Sequence, residues 1–328
     1  MKHTFAVLGL GRAWKRAAAV VFTLVLSLSL CACSLSGQGD AATVGSESSQ
    51  SETENAQTSV GTSESSLEAT QSAEESQEES DSEAEETSEA STEKNGAVLT
   101  VRPGEYFIEI LADLSKVLDI PEAELLETAE LMGENLISTV DWQRGDTSHR
   151  TFQMEGYIAP GEYVIPEGTT QEKAFEILLS GWDKLITEEM EAEASAQGLT
   201  LDEVLIMASI VEYESSHDPT GAVKPSVAAV VRNRIEYPMA LEMDVTVFYL
   251  QEALGEYRDK ADYEAWYDTY ETPTLPAGAI NSPSVESLEA VLHPAETNDL
   301  FFIYDSEGNY YFAEDYETHL ANVEKYLD

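Results

Sequence analysis

Residues 205–214, with the sequence LIMASIVEYE, are apolar on nearly every face of a helix and end in two carboxylates, Glu212 and Glu214. A helix with this pattern is buried rather than amphipathic, which predicts a place at the centre of the fold. Glutamate is rarely fully buried unless it is paired or functional. Burial raises the pKa of a carboxyl group, and a raised pKa suits a general acid. The alternative is that the helix reaches the surface at Glu212, with both carboxylates solvated.

The sequence before this helix predicts short strands and helices. Residues 98–101 predict a strand that the turn formers Pro103 and Gly104 close. Apolar residues at helical spacing predict a helix over 107–118, and a second helix opens at Pro121 and runs to about 131.

The next elements follow the same logic. Residues 163–165 predict a strand, 171–179 a helix, and 181–197 one long helical stretch. Thr200 is expected to cap the central helix, which should end near residue 215. The chain should close with a hairpin over 300–312 and a final helix. Together these elements predict an α+β fold.

The charge of the chain is strongly negative, with a formal net charge of -46. Residues 97–328 alone hold 47 acids and 12 bases. Because nucleic acids are bound by clustered lysine and arginine, this balance argues against a nucleic-acid partner. It also argues against electrostatic docking on anionic lipid.

The N-terminal residues 1–33 predict an export signal. Four basic residues and no acid precede or flank an apolar run over 17–30, which is shorter than the ~20 residues of a spanning helix. The following Leu30-Cys31-Ala32-Cys33 resembles a bacterial lipobox, with Cys33 as the lipidated residue. The alternative is an ordinary signal peptide or a signal anchor. The only two cysteines of the chain lie here, so no disulfide framework, zinc finger or cysteine nucleophile is expected in the folded part.

The domain organisation follows from composition. Residues 34–97 are rich in Ser, Glu, Thr and Gln and cannot bury enough apolar surface to fold, so they predict a disordered acidic tether. From about residue 97 the pattern changes to that of a folded region.

Several stretches of the sequence resemble a known family when they are taken in order. They are ASIVEYES (208–215), EGYIAPGEYVIPEGTTQEKAFEILL (155–179), VAAVVRNRIEYPMALEMDVTVFYL (227–250), YDTYETPTLPAGAINSPSVESLEAVLHPAET (267–297) and DLFFIYDSEGNYYFAEDYETH (299–319). Each is similar to a motif of the endolytic murein transglycosylases, the YceG-like family. The resemblance covers roughly residues 98–328. It implies a small, LysM-like N-terminal subdomain over residues 98–165 and a mixed α/β transglycosylase catalytic domain over residues 166–328.

This sequence also departs from the family motifs. Tyr213 stands where the family has Lys between the two glutamates, and Glu242 stands in place of Gln. Val245 replaces the Pro that follows the motif's Asp, Asp268 replaces Asn, and Tyr310 stands where many members have His.

The resemblance assigns roles to individual residues. It implies that Glu212 is the general acid/base and that Glu214 is a supporting or subsite residue, with a solvated neighbour as the alternative for Glu214. It implies a further set of substrate-binding residues, which we list as Asn233, Arg234, Asp244, Thr246, Tyr249, Tyr270 and Asn281. For Arg234 and the tyrosines, a purely structural role is the alternative.

The implied function is cleavage of peptidoglycan by a lipid-anchored endolytic lytic transglycosylase at the outer face of the bacterial membrane. Such an enzyme acts on the MurNAc-GlcNAc β-1,4 bond, leaves 1,6-anhydro-MurNAc ends and limits the length of nascent glycan strands. The expected partners are glycan strands, the membrane through the anchor, and cell-wall synthases. No cofactor is expected, and the five histidines show no metal-ligand spacing. The rival readings are a non-catalytic glycan-binding lipoprotein and a solute-binding lipoprotein.

The lipobox predicts that Cys33 is diacylated after cleavage of the Ala32–Cys33 bond, because two acyl chains anchor a protein stably whereas one does so only marginally. Replacing the cysteine with serine, Cys33→Ser, should leave an uncleaved or released protein, seen by membrane fractionation and gel mobility. A variant that fractionates and migrates like the wild type would identify the segment as a signal anchor instead.

Overall fold

The computed structural model describes residues 96–136, 138–272 and 274–327. The predicted signal peptide, Cys33 and almost all of the predicted tether lie outside these residues. The described chain mixes helices and strands, so the predicted α+β class is confirmed. In these residues no single helix is long and apolar enough to cross a bilayer.

The elements occur in the following order along the chain. The four strands are β1 (Gly96–Val101), β2 (Gly161–Pro166), β3 (Phe301–Tyr304) and β4 (Tyr310–Ala313). The helices are α1 (Phe107–Leu118), α2 (Glu122–Gly133), α3 (Gln171–Leu179), α4 (Glu188–Ala196), α5 (Leu201–Glu214), α6 (Lys224–Glu236), α7 (Asp244–Glu252), α8 (Glu264–Tyr267), α9 (Val285–Leu292) and α10 (Tyr316–Tyr326). Short 3₁₀ turns lie at Trp182–Lys184 and Lys260–Asp262.

The first sheet joins the two ends of the N-terminal region. Strands β1 and β2 pair antiparallel, with Leu99 opposite Tyr163 and Val101 opposite Gly161. The side chains of Leu99, Val101 and Tyr163 are buried, while Val98 points outward. Since side chains alternate along a strand, one face of this small sheet packs on the helices α1 and α3. The predictions of helices over 107–118 and 171–179 are confirmed.

The prediction of one continuous helix over 181–197 is wrong. The structure has a 3₁₀ turn at Trp182–Lys184 and then a separate helix, α4. The indole of Trp182 is buried and donates to the carbonyl of Gly156 at 3.0 Å, which fixes the turn. The hydroxyl of Thr187 accepts from the backbone N–H of Met190 and caps the new helix. Local capping and one anchored tryptophan therefore override a helical composition.

Helix α5 lies at the centre of the fold, as the sequence predicts. It begins with a capping box in which Thr200 and Glu203 each accept from the other's backbone N–H, at 2.9 to 3.1 Å. Ten of its fourteen residues are buried. Helices α6, α7 and α9 all pack against it.

A loop crosses the middle of α5 at Ser209. The hydroxyl of Ser209 accepts from the backbone N–H of Ile280, and its carbonyl accepts from the Asn281 amide. Gly156 lies beneath this loop with a φ of +83°, and a Cβ there would come within 2.5 Å of the Ala279 side chain. Only glycine fits such a close approach at a positive φ.

A buried carboxyl group, Glu155, joins the N-terminal region to the helices around α5. One oxygen of Glu155 accepts from the backbone N–H of Phe107 at 3.0 Å, at the start of α1, and the other accepts from the Tyr249 hydroxyl at 3.1 Å. No cation pairs with it among the described residues. Burial therefore raises the pKa of Glu155 to about 8, and the two hydrogen bonds only partly oppose this.

This raised pKa predicts that the fold loses stability as the pH rises from weakly acidic to weakly alkaline. The unfolded chain ionises Glu155 near 4.5, whereas the folded chain holds the proton to about 8. The contribution is therefore complete below pH 4.5 and is lost as the pH rises through about 8, by up to about 5 kcal/mol. Glu155→Gln should remove much of this loss in urea unfolding measured from pH 5 to 9. Glu162→Gln, at an exposed strand position, is the control; an unchanged pH dependence in Glu155→Gln would refute the assignment.

Candidate active site

The two glutamates of α5 point to opposite sides of the helix. Residues two apart on a helix do not share a face. Glu212 points towards α6 and α9, where Lys224, Ser284 and Ser287 lie. Glu214 points towards the start of α7. The structure therefore separates two carboxylates that the sequence places side by side.

One oxygen of Glu212 receives four hydrogen bonds. The donors are the ammonium of Lys224 at 2.8 Å, the backbone N–H of Ser284 at 3.0 Å, and the hydroxyls of Ser284 and Ser287 at 2.5 and 2.6 Å. Lys224 in turn donates to both hydroxyls, at 2.7 and 2.9 Å, so its three N–H bonds are all used. The pair is mostly buried, with 12% of each side chain exposed.

These contacts leave Glu212 ionised. Burial by itself raises the pKa of Glu212, but the hydrogen bonds from Lys224, Ser284 and Ser287 outweigh it, and the pKa lies below its usual value. A general acid must carry a proton at the operating pH. The acid role of Glu212 stays a prediction, and the geometry here is that of an ion pair that joins α5, α6 and α9.

Glu214 has the opposite electrostatics. Burial and the nearby charge of Asp244 raise the pKa of Glu214 to about 8, while the Val245 backbone N–H and the charge of Arg234 lower it less. At pH 7 a group with this pKa is about 90% protonated. The residue is partly buried, like Glu212, and burial of its carboxyl group is the largest cause of the raised pKa. It is a carboxylic acid that keeps its proton at neutral pH.

Two of the predicted site residues lie beside Glu214. Asp244 is the first residue of α7, and the hydroxyl of Tyr270 donates to its carboxylate at 2.7 Å. The side chain of Tyr270 is 49% exposed, so its ring is open to a ligand. The loop before Asp244 holds Glu242 at a φ of +47°, an uncommon conformation for a residue other than glycine.

Two other predicted residues, Asn233 and Arg234, tie elements together around the site. The Asn233 amide donates to the carbonyls of Thr297 and Asp299, both at 2.9 Å. Arg234 is 6% exposed and donates to the carbonyls of Leu241 and Leu300, both at 2.6 Å. It thereby connects the loop before α7 to strand β3. Sugar contact by either residue stays a prediction.

The remaining three predicted residues are fully buried and have protein partners. Thr246 donates to the carbonyl of Met243 at 2.9 Å, and Tyr249 donates to Glu155. The Asn281 amide donates to the backbone of Ser209 at 2.7 Å. All three have 0% exposure, so in this structure they support the walls of the site. Their contact with substrate stays a prediction.

The sequence analysis did not identify several residues that the structure places around the two glutamates. They are Lys224, Ser284 and Ser287 beside Glu212, and His217, Tyr304 and the ring of Tyr310 on the Glu214 side. Apart from His217, which lies three residues after Glu214, these residues are 12 to 96 positions away from the glutamate that they approach, so no local pattern reveals them. The one available signal is the two-residue spacing, which shows that only one glutamate can face a given side.

The arrangement at Glu214 suits proton transfer. A single protonated carboxyl can donate a proton to a leaving oxygen and can take one back as a carboxylate, and the anionic Asp244 lies close enough to favour the protonated form. Within the part of the chain that the structure describes, no group of three or more His, Cys, Asp or Glu side chains is placed to hold a metal ion.

Comparisons with known proteins agree on one family. The model of the YceG-like family matches residues 50–325. Two relatives are named endolytic murein transglycosylase: the Streptococcus pneumoniae serotype 2 protein is 29% identical over 185 residues, and the Bacillus subtilis protein is 26% identical over 242 residues. These matches cover 54% and 70% of this chain. They span a third of the pneumococcal protein (33%) and 65% of the Bacillus protein.

One solved structure has the same fold. It is a YceG-like protein from Listeria monocytogenes, with a TM-score of 0.58 and 23% sequence identity. The match covers 69% of this chain and 75% of the Listeria chain. At this identity the likeness shows the fold alone.

The ion pair of Glu212 and Lys224 predicts a measurable coupling in stability. Removing either partner leaves a mostly buried charge, so Glu212→Gln and Lys224→Met should each lower the free energy of unfolding by about 2–4 kcal/mol. The double variant should lose less than the sum. Because the pKa of Glu212 is lowered, this stabilisation is present at neutral pH and is lost as the pH falls below 4.5.

The matched control for this cycle is the exposed pair of Lys116 and Asp113 on α1, which lies at 2.7 Å, against 2.8 Å for Glu212 and Lys224. Its coupling should be much weaker, because solvent screens an exposed pair. Urea unfolding of all the variants at pH 7 gives both coupling energies. Equal coupling energies in the two pairs would show that Glu212 and Lys224 do not form the stabilising buried ion pair described here.

Proposed function

Since the chain belongs to the YceG-like family, we propose that it is an endolytic lytic transglycosylase that cleaves the MurNAc-GlcNAc bond of peptidoglycan. The observation that carries the proposal is Glu214, a carboxyl group with a pKa of about 8 beside Asp244, whose carboxylate accepts from the exposed Tyr270. The names of the relatives from Streptococcus pneumoniae and Bacillus subtilis support the substrate class.

We assign the role of general acid/base to Glu214 and not to Glu212. Glu214 holds a proton at neutral pH and lies beside Asp244, whereas Glu212 is ionised and one of its carboxylate oxygens is occupied by four donors. Glu212 then acts as a positioning residue that fixes the end of α5. This reverses the order of roles that the sequence resemblance implies.

The chemistry in this proposal needs one carboxyl group. Glu214 protonates the glycosidic oxygen as the bond to the anomeric carbon breaks. The C6 hydroxyl of the same muramyl residue attacks that carbon, and the Glu214 carboxylate takes the proton from this hydroxyl. An ordinary glycosidase needs a second carboxylate to activate water or to form a covalent intermediate. Here the substrate supplies the nucleophile, the acid is regenerated, and no water is consumed.

The charge of Asp244 has two functions in this proposal. It keeps the proton on Glu214 before the reaction, because two neighbouring carboxylates disfavour double ionisation. It also places negative charge beside the positive character that develops at the anomeric carbon. The exposed ring of Tyr270 offers an apolar face on which a sugar ring could stack.

The setting of the enzyme is also part of the proposal. Diacylated Cys33 would hold the chain at the outer face of the membrane, and the acidic segment 34–97 would give it reach to nascent glycan strands. We propose that residues 98–165 form the LysM-like part that helps to bind those strands. The strand–helix–helix–strand order of residues 96–166, with its two strands paired, supports this. In this proposal endolytic cleavage limits the length of new strands, and the enzyme acts in contact with cell-wall synthases.

The assignment predicts a sharp difference between the two glutamates. Glu214→Gln keeps the shape and removes the transferable proton, so glycan cleavage should fall by about 10²–10⁴-fold. Glu212→Gln, measured per folded molecule, should keep at least about ten times more activity than Glu214→Gln. In the wild type, kcat/KM should fall as the pH rises through about 8, because Glu214 then loses its proton.

Mass spectrometry of the glycan products tests the reaction itself. New ends should be 1,6-anhydro-muramic acid, one water lighter than hydrolysis products, and reaction in ¹⁸O-water should leave them unlabelled. A labelled reducing end would mean hydrolysis and would require an activated water. Full activity of Glu214→Gln with an inactive, folded Glu212→Gln would return the acid role to Glu212. Binding of glycan without cleavage by the wild type would favour a glycan-binding protein.

A further inference from the structure

The last turn of helix α5 is held from outside by the C-terminal hairpin, β3–β4. The hydroxyl of Tyr310 on β4 donates to the backbone carbonyl of Glu214 at 2.6 Å. The last four carbonyls of a helix have no partner within the helix, so this bond satisfies one of them. The residue whose side chain is the proposed acid is therefore fixed at its own backbone by a side chain 96 positions away.

The tip of the hairpin touches the same turn at a second point. Gly308 lies at the tip with a φ of +85°, and a Cβ there would come within 2.6 Å of the carbonyl oxygen of His217. The ring of His217 stacks on the ring of Tyr304, with centroids 4.0 Å apart and planes 22° apart. Both strands of the hairpin thus contact the segment that directly follows Glu214.

The hairpin has anchors of its own that do not involve the acid. The guanidinium of Arg234 donates to the carbonyl of Leu300 at 2.6 Å and lies over the ring of Phe301 at 5.3 Å. The turn is closed by Asp305, whose carboxylate accepts from the backbone N–H groups of Glu307 and Asn309. A hairpin that is fixed in this way can hold the end of α5 in one position.

We propose that Tyr310 is a positioning residue for the general acid, and that its hydroxyl holds the end of α5 so that the Glu214 carboxyl stays in its desolvated position beside Asp244. This inference rests on the proposed function, because it concerns the same carboxyl group. It adds a residue on a different element, whose action passes through the backbone and not through contact with the substrate.

The proton affinity of Glu214 depends on every group that faces it. Burial raises its pKa most, then the charge of Asp244, and the Val245 N–H and Arg234 oppose them. On the other sides lie the phenol groups of Tyr270, Tyr304 and Tyr310. If the hydrogen bond from Tyr310 is lost, the last turn of α5 loosens and water gains access to the carboxyl. The pKa of Glu214 then moves down towards its ordinary value.

The experiment compares two neighbouring tyrosines of the full chain. Tyr310→Phe removes only the hydroxyl that reaches Glu214. The matched control is Tyr311→Phe, which removes a hydroxyl that donates at 2.9 Å to Asp305 within the hairpin and does not contact the site. Tyr310→Phe also removes the contact of this hydroxyl with the backbone N–H of His217, so the activities of the two variants are compared per folded molecule.

We expect Tyr310→Phe to lower kcat by about 5–50-fold, because a misplacement of 1 Å can cost about 10²-fold. KM should stay within about twofold, and the alkaline limb of the pH–rate profile should move to lower pH. Tyr311→Phe should change neither kcat nor the limb. Gly308→Ala, which pushes the hairpin tip against His217 without removing the Tyr310 hydroxyl, should move kcat and the limb in the same direction as Tyr310→Phe.

A readout without substrate completes the test. The pH dependence of unfolding in Tyr310→Phe, compared with Tyr310→Phe/Glu214→Gln, reports the pKa of Glu214. A lower pKa than in the matching wild-type pair supports the positioning role. If Glu214→Gln is inactive while Tyr310→Phe keeps the wild-type kcat and pH profile, the positioning role is wrong and the proposed function stands. Full activity of Glu214→Gln would overturn both.

Discussion

The fold depends on burying helix α5, a helix with almost no polar face that ends in two carboxylates. Hydrophobic burial favours placing it at the centre, since buried apolar side chains contribute most of the stability of a domain. The same position forces each carboxylate either to find donors or to keep its proton. Glu212 finds four donors around one oxygen, and Glu214 keeps its proton. The contrast in pKa is thus a direct consequence of packing the helix where it lies.

The elements around α5 contact its two glutamates from different sides. Helices α6 and α9 supply Lys224, Ser284 and Ser287 on one side and make a rigid, charged joint there. The start of α7 and the C-terminal hairpin form the other side, where Glu214 meets Asp244 and an open tyrosine. A general acid benefits from this asymmetry, because one glutamate stabilises the helix while its neighbour remains available for proton transfer.

Unpaired carboxyl groups are a recurring feature of this acidic chain. Glu155 and Glu214 both have a pKa near 8, and in each case burial is the largest cause. Each is favourable to the fold while protonated and unfavourable once ionised, so both make stability fall over the same range, from about pH 4.5 to about pH 8. For Glu155, which links α1 to α7, the raised pKa makes the fold less stable at higher pH. For Glu214 the raised pKa is the property on which the proposed chemistry relies.

The sequence by itself determined the elements that depend on near neighbours. Helices α1 and α3, the capped start of α5 and the hairpin follow from apolar spacing, capping residues and turn formers, all of which act over a few residues. The sequence also marked the segment that carries the proposed acid. Only the tertiary structure decided which glutamate of that segment keeps its proton, because the deciding groups, Lys224, Ser284 and Asp244, reach α5 from distant parts of the chain. The break within 181–197 was hidden for the same reason, since it depends on where the buried Trp182 finds its acceptor.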